Sequence, residues 1–323
     1  MNKLRTGIVG AAGYTGGELI RILLNHPNVE LVYASSRSQA GKKVSSVHDD
    51  LVGQTNLSFS DEYITNLDVV FICLPHGHSK DFFKKISFPS ETIVIDLSND
   101  FRLKADAGDF VYGLPELNTT QITKANKIAN PGCFATAIQL ALLPLAANNL
   151  LSNEIHISAI TGSTGAGVKP LATTHFTWRN NNMSVYKAFQ HQHLEEISQS
   201  INQLQATFNK AINFIPYRGD FTRGIIATVY TDFSGSEEEA YQLYEKYYVD
   251  AQFVHISKEN IHLKQVVNTN NNLLHLEVHD NKLMIISIID NLIKGASGQA
   301  VQNLNIRMGW SEDLGLRLKA AMF

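Results

Sequence analysis

Short apolar runs alternate with segments of helical spacing in the first part of the chain. The β-rich runs are residues 6–9, 29–34, 68–74 and 92–97. Residues 69–74 are apolar throughout, which is typical of a strand covered on both faces. Strands that alternate with helices predict a parallel, doubly wound sheet, so we expect an α/β domain over residues 1–148.

The rhythm changes in the second part, where longer apolar runs follow one another with few helical segments between them. These runs are residues 155–161, 225–232, 273–279 and 283–289, and the polar stretches 179–182 and 268–272 predict loops. We therefore expect an α+β domain with a largely antiparallel sheet over residues 149–301. The end of the chain is helical in pattern, and we expect a helix over residues 302–323 to pack back on the first domain.

Composition narrows the class of protein. A chain of 323 residues, with 44% hydrophobic and 18% charged residues, has the profile of a folded protein with two domains. The net charge of -3 and the lack of a long Lys/Arg run argue against nucleic acid or a membrane surface as partner. We also expect no export signal in residues 1–5 and no membrane span, since no apolar run is long enough. Only two cysteines occur, which favours a reduced, cytoplasmic setting.

A glycine turn follows the first predicted strand and leads into helical spacing that begins at Glu18. Strand, glycine turn and helix is the context of a dinucleotide-binding Rossmann fold, because small residues let the backbone approach a pyrophosphate at the helix N-terminus. A tight turn without ligand is the alternative. The residues predicted to bind the cofactor here are Gly10, Ala12, Gly13, Tyr14, Thr15 and Gly16.

The second predicted strand ends in Ser35, Ser36 and Arg37. An NAD enzyme usually has an acidic residue there for the ribose 2′-hydroxyl, whereas arginine and hydroxyl groups suit a 2′-phosphate. We therefore predict NADP(H) as cofactor, with a solvated surface arginine as the alternative.

The candidate nucleophile is Cys133, which follows Asn130-Pro131-Gly132 and precedes an apolar segment that predicts a buried helix. A helix N-terminus favours a thiolate, and the backbone N–H groups there can bind an oxyanion. A packing cysteine is the alternative. Cys73 lies inside an apolar strand and is interpreted as a core residue.

A thiolate nucleophile needs a proton partner, and the candidates are His191 and His193. Their spacing also suits metal ligands, but no second His/Cys cluster supports a metal site, so we predict none. A surface pair without function is the other alternative. Spacing alone does not choose between the two imidazoles.

Taken in order, several segments of the chain resemble the N-acetyl-gamma-glutamyl-phosphate reductase family of arginine biosynthesis, which is similar in plan to aspartate-semialdehyde dehydrogenase. The matching segments are residues 10–16, 96–102, 112–116, 130–133, 162–167, 223–224 and 290–300. The resemblance implies NADPH-dependent reduction of an acyl phosphate to a semialdehyde, with phosphate released from a thioester on Cys133.

The resemblance also implies roles for individual residues. Cys133 is then the nucleophile and His191 the general acid/base. The residues expected to bind substrate are Arg102, Asn130, His193, Glu196 and Arg223, although a structural salt bridge is an alternative role for Arg102. Pro75, Ser163, Gly165 and Asn291 join the cofactor site. We further expect a homo-oligomer, dimer or tetramer, formed through the strand-rich domain.

One departure from the family pattern concerns the paired histidines. Many members carry Arg between them and Pro before the glutamate, whereas this chain has Gln192 and Glu195. Another cation, such as Arg218 or Arg223, would then replace that arginine. The competing functions are the same reaction on an N-succinyl-glutamyl, aminoadipyl or aspartyl phosphate, and a non-catalytic NADP-binding sensor, which would need neither Cys133 nor His191.

Overall fold

The computed structural model describes residues 3–322; Met1, Asn2 and Phe323, which belong to the predicted N-terminal segment and C-terminal helix, lie outside the described residues. The strands are β1 (Leu4–Val9), β2 (Val29–Ser35), β3 (Val69–Ile72), β4 (Ile93–Asp96), β5 (Val111–Tyr112), β6 (Lys127–Ala129), β7 (Ile155–Thr161), β8 (Ser184–Val185), β9 (Ile212–Arg218), β10 (Ile225–Asp232), β11 (Val254–Ser257), β12 (Asn272–His279) and β13 (Lys282–Ile289). The helices are α1 (Tyr14–Leu23), α2 (Ser79–Phe83), α3 (Pro115–Ile122), α4 (Cys133–Ala147), α5 (Phe176–Arg179), α6 (His193–Leu204), α7 (Glu237–Tyr247) and α8 (Gly298–Arg307).

The first compact unit runs from the start of the described chain to Pro131 and also includes Ala296–Arg317. Its described sheet has six strands in the order β2-β1-β3-β4-β6-β5, and every pairing is parallel. From β1 the sheet continues on both sides, with β2 on one side and β3 on the other, which is the doubly wound arrangement. All four residues of β3 are buried, as its uninterrupted apolar run predicts. The predicted Rossmann-type domain is confirmed.

The second compact unit contains Gly132–Gly295 and the chain from Leu318 onward. Its described sheet has seven strands in the order β11-β12-β13-β10-β7-β9-β8. The pairs β11–β12 and β7–β9 are parallel, and the other pairings are antiparallel. The predicted largely antiparallel sheet is therefore confirmed, with β9, β11 and helices α6 and α7 as additions to the predicted elements.

The division between the units falls at Pro131 rather than after the predicted residue 148, so α4 belongs to the second unit. From Phe134 to Ala146 every residue of α4 is buried, and the helix packs against α6, β10 and β13. A helix that is apolar on nearly all sides needs cover on all sides, which the sheet and a second helix supply. The reason for the difference is that the sequence pattern does not tell which neighbour covers the helix.

The C-terminal helix also differs from the prediction. α8 ends at Arg307, and turns follow it instead of a helix to residue 323. Within the first unit, Asn303 Nδ2 donates to Gly113 O at 2.9 Å, and the His26 ring lies 3.1 Å from Asn305 Oδ1. The chain from Leu318 onward groups with the second unit, where Ala321 N donates to Val267 O.

A tyrosine at the C-terminal end of α7 compensates for a hydrogen bond that a proline removes from α4. Pro144 has no N–H, so the carbonyl of Leu140, four residues earlier, loses its helical donor. The Tyr248 hydroxyl donates to Leu140 O at 2.6 Å, and the Tyr244 hydroxyl donates to Ala141 O at 2.5 Å. These two hydrogen bonds hold α4, which begins at Cys133, against the rest of its unit. Among the described helices, none is long and apolar enough to cross a membrane.

Candidate active site

The glycine turn after β1 needs glycine at two positions. Gly10 has φ of +82°, and a Cβ on it would lie 2.6 Å from Cys73 O. A Cβ on Gly16 would lie 2.6 Å from the Ala11 Cα, so helix and turn pack backbone to backbone. Gly13 is the N-cap of α1, has no side-chain cap, and a Cβ there would meet only Gly10 O, at 3.9 Å. The turn thus presents open backbone at a helix N-terminus, which fits a dinucleotide pyrophosphate.

The end of β2 lies beside this turn. Ser35 O accepts the N–H groups of Gly10 at 3.1 Å and Ala11 at 2.8 Å. Ser36 is buried, whereas Arg37 is exposed, with its guanidinium 5.9 Å from the centre of the Tyr63 ring. The other predicted cofactor residues of the first unit are the half-buried Ala12 and Thr15 and the exposed Tyr14 and Pro75.

Three further predicted cofactor residues belong to the second unit: Ser163, Gly165 and Asn291. Ser163–Ala166 form a short 3-10 helix. Asn291 fixes this loop, because its Oδ1 accepts Gly224 N at 2.7 Å and its Nδ2 donates to Thr164 Oγ1 at 3.0 Å. These two hydrogen bonds of the Asn291 side chain hold the Gly224 backbone and the Thr164 side chain in place.

Cys133 is the first residue of α4, as the Asn-Pro-Gly turn predicts. Its N-cap, Gly132, has extended geometry (φ -73°, ψ 150°) and no side-chain cap. The Cys133 side chain is half-buried. A Cβ on Gly295 would lie 2.8 Å from the Cys133 Cβ, so glycine is required to make room for this residue. The thiol thus lies at the positive end of a buried helix, where a thiolate is favoured.

A buried carboxylate and an imidazole pack against the start of α4. Glu196 is 2% exposed and His193 is 5% exposed. Glu196 Oε2 accepts the Gly132 N–H at 2.9 Å, and its Oε1 lies 3.8 Å from His193 Nε2. The His193 ring lies so close to Gly132 that a Cβ there would be 2.5 Å from Cε1. The residue next to the nucleophile therefore contacts a His–Glu pair.

His191 lies beside this pair in apolar surroundings. Its ring centre is 4.6 Å from that of His193, 5.4 Å from those of Phe134 and Phe214, and 5.8 Å from that of Tyr186. His191 Nδ1 accepts the His193 N–H at 3.2 Å. In the neutral imidazole the proton is then on Nε2, which makes His191 a hydrogen-bond donor at that atom.

Tyr186 links this cluster to a cation. The Arg218 guanidinium lies 4.6 Å from the centre of the Tyr186 ring. Burial raises the pKa of Tyr186 well above its usual value, the charge of Cys133 adds to the rise, and Arg218 opposes it. Tyr186, Phe134 and Phe214 are site residues that the sequence analysis missed, because aromatic residues at these positions look like ordinary core.

Comparison with known proteins follows the same division of the chain. A family model described as "Semialdehyde dehydrogenase, NAD binding domain" matches residues 5–125, and one described as "Semialdehyde dehydrogenase, dimerisation domain" matches residues 133–291. An N-acetyl-gamma-glutamyl-phosphate reductase from Christiangramia forsetii is 57% identical over 99% of this chain and 100% of the relative. Another, from Azobacteroides pseudotrichonymphae, is 59% identical with the same coverage.

The chain belongs to the N-acetyl-gamma-glutamyl-phosphate reductase family. The predicted family resemblance is thus confirmed. The match to a NAD binding domain supports a nicotinamide cofactor. Among solved structures, aspartate semialdehyde dehydrogenase II from Vibrio cholerae matches with a TM-score of 0.76 and 16% identity, over 95% of this chain and 99% of that chain. At that identity the likeness shows the fold alone.

Three residues predicted to bind substrate in this reductase family make hydrogen bonds or ion pairs within the protein. Arg102 is 4% exposed and donates from Nε to Asn130 O and from Nη2 to Leu97 O, both at 2.8 Å. Asn130 donates to Ala296 O and accepts from Asn303 Nδ2. Arg223 pairs with the buried Asp290 at 3.0 Å.

These bonds leave the substrate roles of Arg102, Asn130 and Arg223 as predictions. The alternative role for Arg102 is a structural salt bridge, whereas the bonds given above go to backbone carbonyls. Sequence motifs give the position of such residues, but the acceptors that satisfy them come from other parts of the chain.

The second cysteine has a different environment. Burial raises the pKa of the Cys73 thiol to about 12, and a hydrogen bond with Thr15 only partly opposes the rise. The thiol is therefore neutral at physiological pH. Cys73 directly follows β3 and is half-buried, so it does not lie inside a strand in the core as predicted.

Proposed function

We infer that this chain reduces N-acetyl-gamma-glutamyl phosphate to N-acetyl-glutamate 5-semialdehyde with NADPH and releases phosphate, a step of arginine biosynthesis. One observation carries the proposal: Cys133 begins a buried helix whose N-cap contacts the His193–Glu196 pair. The relatives named for this reaction match the chain from end to end, which supports the substrate.

The residues present fit a dinucleotide with a 2′-phosphate. The open backbone of Gly13 at the start of α1 suits the pyrophosphate, and the exposed Arg37 beside Ser36 suits the 2′-phosphate. Together they support NADP(H) over NAD(H). When bound, NADPH supplies the hydride for the reduction.

The first chemical step is acylation of Cys133. His193 accepts the thiol proton, and the buried Glu196 carboxylate stabilises the resulting imidazolium. The thiolate then attacks the acyl carbon, a C–S bond forms, and the C–O bond to phosphate breaks as phosphate leaves. Backbone N–H groups in the first turn of α4 stabilise the negative charge that develops on the carbonyl oxygen.

The second step converts the thioester to the aldehyde. Bound NADPH would supply hydride to the thioester carbonyl carbon, and Cys133 would then leave as thiolate as its C–S bond breaks. His191, which carries its proton on Nε2, holds the carbonyl oxygen by a hydrogen bond through both steps. In this assignment His193, which exchanges the proton with Cys133, takes the acid/base role that the resemblance gives to His191, and His191 orients the carbonyl.

The second unit also supports a homodimer. Along β7 and β10 buried residues alternate with less buried ones, and the latter share one face of the sheet, including Ile160, Ile226 and Thr228. This face, which also carries the exposed Ser158 and Tyr230, lies in the segment that matches the dimerisation domain. Thr228→Arg should shift the sedimenting species from dimer to monomer; an unchanged dimer would place the interface elsewhere.

A reducing cytoplasmic setting suits the proposed chemistry. Neither Cys73 nor Cys133 is in a disulfide, and the proposed reaction requires Cys133 as a thiolate.

The deciding experiment measures NADP reduction by the purified enzyme with phosphate and N-acetyl-glutamate 5-semialdehyde. We expect phosphate-dependent turnover and a strong preference for NADP over NAD. Side-by-side rates with the N-succinyl, aminoadipate and aspartate semialdehydes identify the true substrate if the N-acetyl compound is poor. Tight NADPH binding without acylation of Cys133 by any of the matching acyl phosphates would replace the enzyme with a sensor.

A further inference from the structure

We propose that Arg218 binds a carboxylate of the substrate and thereby determines which acyl phosphates this enzyme accepts. The inference rests on the proposed function and extends it to substrate recognition. It begins from Gln192, which stands where many relatives have arginine between the two histidines. An N-acyl-glutamyl phosphate carries an α-carboxylate at the end opposite its phosphate, so recognition calls for a cation near the histidines.

The other cations of this region are already engaged. Arg223 is bound to the fully buried Asp290 carboxylate through Nε at 3.0 Å and Nη2 at 3.2 Å. Arg179 is 6% exposed and donates to the carbonyls of Thr173, Asn182 and Arg218 and to Ser184 Oγ. Lys187 is exposed, and its Nζ donates to Gln192 Oε1 at 3.0 Å. These bonds hold the loop before His191 rather than a ligand.

Arg218 differs in both position and bonding. It is the last residue of β9, pairs with Ser184 of β8 and Thr161 of β7, and is half-buried. Its side chain is hydrogen-bonded to Tyr186, and within residues 3–322 its Nε is buried without a hydrogen-bond acceptor. A buried donor without an acceptor carries a free-energy cost that an incoming carboxylate would remove.

The aromatic contacts connect Arg218 to the reacting groups. Its guanidinium lies 4.6 Å from the centre of the Tyr186 ring, and that ring centre lies 5.8 Å from the centre of the His191 ring. A planar guanidinium stacked on an aromatic ring has its N–H edge held in one orientation, which suits a bidentate carboxylate. The Tyr186 ring thus contacts both Arg218 and His191, the histidine proposed to hold the reacting carbonyl.

Two arginines lie close together at this place. Burial lowers the pKa of Arg179, the charge of Arg218 lowers it further, and the Asp220 carboxylate raises it, so the repulsion between the two arginines is partly offset. An anionic ligand on Arg218 would relieve that repulsion. A neutral polar group would not, which favours a carboxylate over an amide or hydroxyl as the occupant.

The test compares Arg218→Gln and Arg218→Lys with Lys187→Gln, a matched change of an exposed cation beside the histidines. With the N-acetyl substrate, Arg218→Gln should raise KM by roughly ten- to hundredfold, which is the value of a hydrogen bond to a charged group. KM for NADP and kcat should change little. Arg218→Lys should recover part of the loss, because it keeps the charge but not the fork. Lys187→Gln should leave KM nearly unchanged.

A second set of substrates identifies the carboxylate. If Arg218 binds the α-carboxylate, Arg218→Gln weakens N-acetyl and N-succinyl substrates equally, and the α-amide analogue is as poor for the native enzyme as the carboxylate is for the variant. If Arg218 binds the extra carboxylate of an N-succinyl group, only that substrate is weakened. Either pattern supports the proposal.

Two results would overturn it. One is an unchanged KM for every substrate; the other is a loss that is equal for the carboxylate and amide forms, since that reports a structural role. Both require an active native enzyme. Absence of native turnover with all N-acyl-glutamyl compounds would instead refute the proposed function, so the two failures are distinguishable.

Discussion

Helices α4 and α7 belong to the same unit but begin in opposite ways. α7 starts with a complete capping box, in which Ser236 Oγ accepts Glu239 N and Glu239 Oε2 accepts Ser236 N. α4 starts at Gly132 with no side-chain cap, and its N-cap N–H is bound by Glu196 from another helix. The capped helix satisfies its own terminus. The uncapped one keeps its terminus open for the nucleophile and depends on tertiary contacts.

The start of α1 extends this contrast. Its N-cap is also glycine without a side-chain cap, and it follows the turn proposed to bind the pyrophosphate. In both cases a capping side chain would occupy the space where the proposed chemistry needs backbone N–H groups. Among the described α-helices only α7 has a side-chain cap, so the feature that α1 and α4 share is a glycine N-cap beside a proposed site.

The largest expected effect is at the first residue of α4. Cys133→Ser should lower kcat by at least about ten-thousandfold, because a serine hydroxyl is not ionised there and forms no thioester. NADPH binding should persist, as measured by protein fluorescence quenching. Cys73→Ser is the matched control and should retain activity. Normal turnover by Cys133→Ser would show that Cys133 is not the nucleophile.

A thiol-labelling experiment sharpens the same difference. Because burial raises the pKa of Cys73 to about 12, its thiol should react with iodoacetamide far more slowly than Cys133 at neutral pH. Mass spectrometry of the labelled peptides measures both rates, and activity should be lost with the Cys133 label. Preferential labelling of Cys73 would contradict the assignment.

The next effect concerns the missing side chain at the N-cap. Gly132→Ala adds a Cβ that would lie 2.5 Å from His193 Cε1, so the ring must move from its place beside Glu196. We expect kcat/KM to fall by about a hundredfold or more, the usual range for a displaced acid/base group. In a His193→Ala background the same change should cost little more, since the clash is gone. Additive losses would show that Gly132 acts independently of His193.

A smaller effect is expected at the carboxylate that takes the place of the cap. Glu196→Gln can still accept the Gly132 N–H but carries no charge to stabilise protonated His193. We expect a tenfold to hundredfold fall in kcat, as for other partners of a functional histidine, and a shift in the pH–rate profile. Glu239→Gln, the matching change in the capping box of α7, should leave the profile unchanged. An identical profile for both variants would reduce Glu196 to a structural role.

The sequence predicted the parts of this contrast that depend on local pattern. The strand–turn–helix at residues 10–16 and the position of Cys133 at a helix start are readable from residue types, and both are confirmed. Glycine turns and apolar periodicity act over a few residues, so no tertiary information is needed.

The parts that depend on distant partners could not be predicted. Arg102 is expected to contact an anion, and the sequence does not show that it also donates to the carbonyls of Asn130 and Leu97. Tyr186 has no motif that marks it, and its importance comes from packing between His191 and Arg218. The boundary at Pro131 likewise depends on what covers α4, which composition does not tell.

The smallest effect on activity is expected at the cap of α7. Ser236→Ala removes the acceptor of Glu239 N and should lower the free energy of unfolding by about 1 kcal/mol, the usual cost of an N-cap serine, without changing kcat or KM. The bonds from Ser236 lower the pKa of Glu239, so this contribution is present above the ordinary glutamate pKa and is lost as pH falls through the lowered value. The difference between native and variant enzyme in urea unfolding should therefore narrow in acid, while the part due to the bond between Ser236 Oγ and Glu239 N remains. A constant difference at all pH values would show that the carboxylate of Glu239 adds nothing to the cap.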